Sequence, residues 1–148
     1  MTTRPKSFLF YTSLRWKQGV EGALSAPGKP DIVVSTPPEL KGPEGNWTPE
    51  NLYIASIESC LMLTYLAYCR SRQVELSSYT SAAEGVLEPV SGVQVISKVT
   101  VRPKIVVKTE AHLAQAKEIA GFVHEKCFIS NSVESDVIVE PEISVAAS

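Results

Sequence analysis

The chain has 148 residues, and at roughly 150 residues per domain this predicts one domain, spanning 1–148, with a core of its own. Hydrophobic residues make up 44% and charged residues 20%, a balance that excludes intrinsic disorder. Fourteen Lys and Arg against sixteen Asp and Glu leave a net charge of −2 with no basic run, which argues against a nucleic-acid partner or an anionic membrane surface.

The first apolar run, Phe8-Leu9-Phe10-Tyr11, is far shorter than a signal peptide or a membrane span requires. The expectation is therefore a cytoplasmic protein without membrane association. Three strand-like segments follow one another: Ser7 to Lys17, Gly19 to Leu24, and Asp31 to Thr36 with its Ile32-Val33-Val34 core. Glycine and the Pro27-Gly28-Lys29-Pro30 stretch punctuate them as turns. Residues 37–46 are dense in proline and glycine and read as a loop.

Thr48-Pro49-Glu50 is a helix start: Thr48 caps, Pro49 suits the first helical position, and Glu50 sits at the positive end of the dipole. From Leu52 to Cys69 apolar residues occupy nearly every face of the predicted helix. Glu58, with Ser56, Ser59 and Thr64, interrupts the segment, and its hydropathy reads as too low for a membrane span. A helix apolar all round is wrapped on every side, and a chain of this size points to a partner subunit to cover the remaining faces.

Ser78–Leu87, Val93–Arg102 and Lys104–Lys108 read as strands, with a turn at Glu88–Gly92. Val93, Val95, Ser97, Val99 and Val101 share one face under a period of two. A second helix begins at Thr109–His112 and carries the stripe Leu113, Ala116, Ala120, Val123 and Cys127. A strand over Asp136–Ile143 closes an α+β domain of order βββ-α-ββ(β)-α-β.

Three cysteines without a CxxC pattern do not form a disulfide framework. Packed thiols in a reducing compartment are one reading and thiol chemistry the other. Cys69 follows Cys60 by about half a helical revolution, so the two face opposite sides. Cys60 and Cys127 meet if the two helices pack stripe to stripe.

The segment Asn46 to Cys60, with Pro49-Glu50-Asn51-Leu52 and the thiol eleven residues after the proline, resembles the first signature of the OsmC/Ohr family of osmotically inducible and organic-hydroperoxide-resistance proteins. Lys126-Cys127-Phe128-Ile129-Ser130 resembles its second, and Trp16, Gly19 and Gly22 fit its first hairpin. The resemblance implies curled antiparallel sheets packed on two helices in an intertwined homodimer. It also implies a thiol peroxidase acting on organic hydroperoxides, with neither metal nor bound cofactor. The attacking cysteine falls on Cys60 and the resolving one on Cys127, and an external dithiol, lipoyl or thioredoxin-like, restores the pair.

Family members place an arginine beside the thiol, held by a glutamate that falls on Glu50. Here the two arginine positions fall on Val20 and Leu40. Arg15, Lys17 and Lys41 are the nearby substitutes, although a lysine lacks the planar fork that orients a peroxide and a carboxylate together. Glu50 lies about 15 Å along the helix from Cys60, so within one chain it acts only through a long cation, or else across a dimer. Two histidines are too few for a metal site, and no nucleophile elbow or phosphate loop is present. Three readings stand: the peroxidase, a relative that binds a small apolar ligand in a dimer cleft, and a redox-sensing or disulfide-exchange protein.

Overall fold

The structure is a computed structural model that describes residues 5–147. The chain divides into two compact units, one up to Leu52 and one from Tyr53 onward.

In the first unit, β1 (Ser13–Gln18), β2 (Glu21–Ser25) and β3 (Ile32–Ser35) form an antiparallel sheet in that order. Gly19 turns the first hairpin with φ 49°, and Trp16 Nε1 donates to the Gly19 carbonyl at 3.0 Å. β1 starts at Ser13 rather than Ser7. The aromatic run Phe8–Tyr11 lies outside the sheet and exposed, because aromatic content alone supplies no pairing partner. Residues 37–46 form the expected loop, tightened by one 3-10 turn at Pro38–Leu40, and Lys41 closes that turn in the left-handed region with φ 70°.

The long helix α1 (Pro49–Ser71) begins as its sequence predicts. The Thr48 hydroxyl accepts the Asn51 N–H at 3.1 Å, and Asn51 Oδ1 accepts the Thr48 N–H at 3.1 Å, a reciprocal capping box.

The second unit is built on β4 (Leu76–Val90) and β5 (Val93–Val107), two long antiparallel strands. They join at Ser91-Gly92, whose φ values of 50° and 83° suit the two-residue turn that matches strand twist. β5 is one strand where the sequence suggests a break near Pro103. β6 (Asp136–Val139) pairs with Lys98–Val101 and β7 (Glu142–Val145) with Lys104–Val107, end to end along the same edge. Val101 accepts the Glu140 N–H on that edge at 2.9 Å, and Pro103 faces the same way two residues on. Its missing N–H thus falls at the gap between β6 and β7 and costs no ladder bond.

Two expectations are corrected here. The closing strand is two strands, divided at Glu140-Pro141. The sheet is mixed rather than antiparallel, since β6 and β7 run parallel to β5.

α2 (Leu113–Lys126) buries Ala116, Ile119, Ala120 and Val123. α1 buries Ile57, Leu61, Tyr65 and Cys69, one residue per turn, into the same core as Val99, Val101, Ile105 and Val107 of β5. The Tyr65 hydroxyl donates to the Ala116 carbonyl at 3.0 Å and ties the helices together. Leu63 and Leu66 of α1 are exposed on this chain. By length and composition α1 is apolar enough to cross a membrane, with mean hydropathy 1.4 over its best window, so its hydropathy is not below that of a span. Its Ile57–Cys69 stripe is nonetheless core to this unit.

Candidate functional site

Two thiols come together where α1 passes the end of α2. Cys60 projects from the middle of α1 and is half-buried, while Cys127 is fully buried at the C-terminal cap of α2, where the backbone turns extended. Both are free thiols. The two thiols are near enough that each shifts the other's proton affinity.

A tight turn after Cys127 completes the site. Asn131 N–H donates to the Cys127 carbonyl at 3.1 Å, and the Asn131 side chain donates to the Glu125 carbonyl at 3.0 Å. The Ser132 hydroxyl donates to the Phe128 carbonyl at 2.8 Å. These bonds fix residues 127–132, and the backbones of Ile129 and Phe128 favour the Cys60 thiolate. Ser130 serves the other thiol: its N–H donates to Cys127 Sγ at 3.5 Å, and its buried hydroxyl, without an oxygen or nitrogen partner, faces the same sulfur.

The surroundings split the pair. Partial burial pushes the Cys60 thiol up, but the Ile129 N–H, the Cys127 thiol, the Thr64 hydroxyl at 3.9 Å and the Phe128 N–H together hold it below its ordinary value. Burial pushes Cys127 up, and the neighbouring Cys60 sulfur adds to that against the Ser130 donors. Cys69 is also pushed up by burial and sits in the core beside Tyr65, away from this pair. The thiolate at Cys60 is thus favoured by neutral donors where the sequence suggests a cation.

Glu58, the polar exception in α1, accepts a hydrogen bond from Ser81 of β4 at 2.6 Å. Its charge and burial together push the Tyr79 hydroxyl up to about 12, burial being the larger cause. Of the aromatic residues on α1, Tyr65 is core and Tyr68 packs edge-on against Phe122 with centroids 4.9 Å apart. Tyr53 lines a cavity of about 560 Å³ with Ile96 and Ser135, to which its hydroxyl is bonded at 2.6 Å. His124 is exposed.

Glu50 belongs to a different setting, within the first unit. It lines a pocket of about 490 Å³ whose walls include Val20 and Leu40, the two positions at which an arginine is expected. Its Oε1 is buried and has no hydrogen-bond partner among the described residues. Arg15, Lys17 and Lys41 are exposed, and none of them lines this pocket. Thr64 is absent from the sequence expectations, and Phe128, Ile129 and Ser130 enter them only as part of the motif around Cys127, without a role. Thr64 had a signal, one helical turn after Cys60, whereas backbone donors leave none.

Residues 42–142 match the OsmC family, described as OsmC-like protein. An uncharacterized protein of Bacillus subtilis, YmaD, is 25% identical over 141 residues, covering 92% of this chain and 93% of its own. An OsmC-like protein of unknown function from Vibrio cholerae superposes with a TM-score of 0.84 at 27% identity, covering 91% of this chain and 99% of that one. An organic hydroperoxide resistance protein from Elizabethkingia anophelis shares the fold with a TM-score of 0.75 at 18% identity, covering 97% and 100%.

Proposed function

Because the chain belongs to the OsmC-like protein family, which includes organic hydroperoxide resistance proteins, we propose that it is a thiol-dependent peroxidase reducing organic hydroperoxides through Cys60 and Cys127. The observation that carries this reading is the neighbouring pair of free thiols, with the Cys60 thiol held below its ordinary value and the Cys127 thiol above.

The Cys60 thiolate attacks the terminal oxygen of the hydroperoxide. The O–O bond breaks, the alkoxide takes up a proton and leaves as an alcohol, and Cys60 becomes a sulfenic acid. Cys127 then attacks the Cys60 sulfur, an S–S bond forms, and the hydroxyl leaves as water with the proton from the Cys127 thiol. An external dithiol, lipoyl or thioredoxin-like, reduces the disulfide by exchange. The opposite shifts of the two thiols support the order of events, since the thiol that ionises nearer neutrality attacks first.

In this reading the protein works in the cytoplasm as a homodimer. Support for the dimer comes from apolar surface that one chain leaves open: Leu63 and Leu66 on α1, Val90 and Val93 at the β4–β5 turn, and Phe8 to Tyr11 before β1. Glu50 is about 15 Å from Cys60 along a single helix, so it enters the reaction through a long cation or across the dimer.

The test is turnover. Reduced protein with dihydrolipoamide in excess should consume cumene hydroperoxide catalytically, and Cys60→Ser should not. No consumption by the unaltered protein with any dithiol would overturn the proposal.

A further inference from the structure

We propose that the Ser130 hydroxyl stabilises the Cys127 thiolate as it attacks the Cys60 sulfur, which makes Ser130 a third catalytic side chain beside the two cysteines. The inference rests on the peroxidase reading for the source of oxidised Cys60, while its account of Cys127 needs only an oxidised Cys60, whatever the oxidant.

The other serines of this unit set Ser130 apart. Ser56, Ser59, Ser71 and Ser132 each donate the hydroxyl proton to a backbone carbonyl three or four residues back, at 2.7–3.1 Å. Ser130 opens the 3-10 turn Ser130–Ser132, and its hydroxyl oxygen is shut off from solvent with no hydrogen-bond partner among the described residues. The atom is closed off within one chain, so a second subunit gives it no further partner. A buried hydroxyl without an acceptor carries the cost of its lost hydration. What it faces is the Cys127 sulfur.

Two donors of one residue converge on that sulfur. The Ser130 N–H reaches Cys127 Sγ at 3.5 Å, and the hydroxyl acts on it from the side chain. The main chain of Cys127 is already satisfied: its carbonyl accepts the Asn131 N–H at 3.1 Å, and its own N–H donates to the His124 carbonyl at 3.4 Å. A neutral thiol is a weak acceptor and makes little use of two donors, whereas a thiolate accepts both in charge-assisted bonds. Burial opposes the thiolate, and among the described residues the groups acting against that burial are the two donors of Ser130, with no cation among them. The titratable group facing Cys127 from α1 is Cys60, which adds to the opposition. Oxidation of Cys60 to a neutral sulfenic acid removes that charge and leaves the Ser130 donors set against burial alone.

During resolution Cys127 releases its proton, and Ser130 keeps its own while donating a hydrogen bond. The S–S bond forms, the Cys60 S–O bond breaks, and the departing hydroxide takes up the released proton as water.

The test uses the full, reduced chain carrying Cys69→Ser, so that two thiols report, and dithiodipyridine, an aromatic disulfide, so that no peroxide is needed. Cys60 attacks the reagent and releases one thiopyridone; Cys127 then attacks Cys60 and releases a second. The rate of the second release is followed against pH. Ser130→Ala should slow it about tenfold near neutral pH and move its midpoint up by about one pH unit, with the first release unchanged. Ser130→Thr, which keeps a hydroxyl, should restore most of the rate. Ser132→Ala loosens the same turn without taking a donor from the sulfur, and its midpoint should stay in place. An unshifted midpoint in Ser130→Ala, an equal shift in Ser132→Ala, or no second release from the parent chain overturns the proposal. With cumene hydroperoxide as oxidant, Ser130→Ala should over-oxidise Cys60 at about tenfold lower concentration, and over-oxidation at the parent's concentration also counts against the proposal. A hydroperoxide that leaves Cys60 reduced, while the second thiopyridone behaves as expected, strikes the peroxidase reading alone.

Discussion

Cys127 neighbours Cys60, and the two thiols are shifted in opposite directions: burial pushes Cys127 up, while the Ile129 backbone and the Cys127 thiol hold Cys60 down against its own burial. Chain topology makes them neighbours. Cys60 is one helical turn beyond the buried Ile57 on α1, and Cys127 follows the last buried turn of α2, so packing the two stripes in one core brings the sulfurs together. The bonded turn after Cys127 then supplies two backbone N–H groups that no side-chain pattern encodes.

Thiol reactivity should follow that split. At pH 7, iodoacetamide should alkylate Cys60 well before Cys127 or Cys69. A lowered pKa means that the thiolate fraction of Cys60 rises at lower pH than for a free thiol, so its rate-against-pH midpoint should lie below the ordinary thiol value of about 8.5. Cys69 and Cys127 should have midpoints above it. Peptide-resolved alkylation kinetics across pH check this, and equal midpoints for the three would contradict it.

The three cysteines should also separate by function. Cys60→Ser should abolish peroxide consumption, and Cys69→Ser, in the core beside Tyr65, should leave turnover nearly intact. Cys127→Ser should permit one oxidation of Cys60 and then stall as sulfenic or over-oxidised acid. Sustained turnover in Cys127→Ser would mean that an external thiol resolves the sulfenic acid.

Much of this was legible in the residues. The cap at Thr48 and the α2 stripe ending in Cys127 each obey a local rule and stand in the structure. The predicted period of two on β5 holds for buried Val99 and Val101 but is broken by a bulge at Ser97 that leaves Val93 and Val95 exposed. Other features depend on partners far along the chain. Pro103 reads as a break because its missing N–H is visible and the gap between β6 and β7 that absorbs it is not. β1 starts later than its composition predicts because Phe8 to Tyr11 has strand composition without a strand to pair with. The groups that favour the Cys60 thiolate are the backbone of a turn and two neighbouring side chains, Cys127 and Thr64, whereas the positions at which the family resemblance implies an arginine hold Val20 and Leu40, both on the wall beside Glu50.

Packing at the α1 stripe supports the site as well as the fold. Leu61, next to Cys60 in the chain, is 1% exposed in the shared core. Leu61→Ala should cost about 2–5 kcal/mol, the range for truncating a buried leucine, read from denaturant midpoints. A loss below about 1 kcal/mol would show that the α1 stripe is not core.

Alkaline stability gives an independent check on the buried hydroxyls. Burial pushes Tyr79 up to about 12, with Glu58 adding to the shift, and pushes Tyr65 up as well. The folded state therefore holds these protons to higher pH than the unfolded chain does. Their contribution is fully present below the ordinary tyrosine value of about 10 and is lost as pH rises from there to about 12. Urea midpoints should fall steeply across that window, and Tyr79→Phe should make the fall shallower.

The central claim is tested most directly by mapping the thiols after a single oxidation. Reduced protein would receive one equivalent of cumene hydroperoxide, be alkylated, and be digested without reductant for mass spectrometry. The account predicts a Cys60–Cys127 linked peptide within seconds, with Cys69 alkylated. Three alkylated, unlinked cysteines would contradict it.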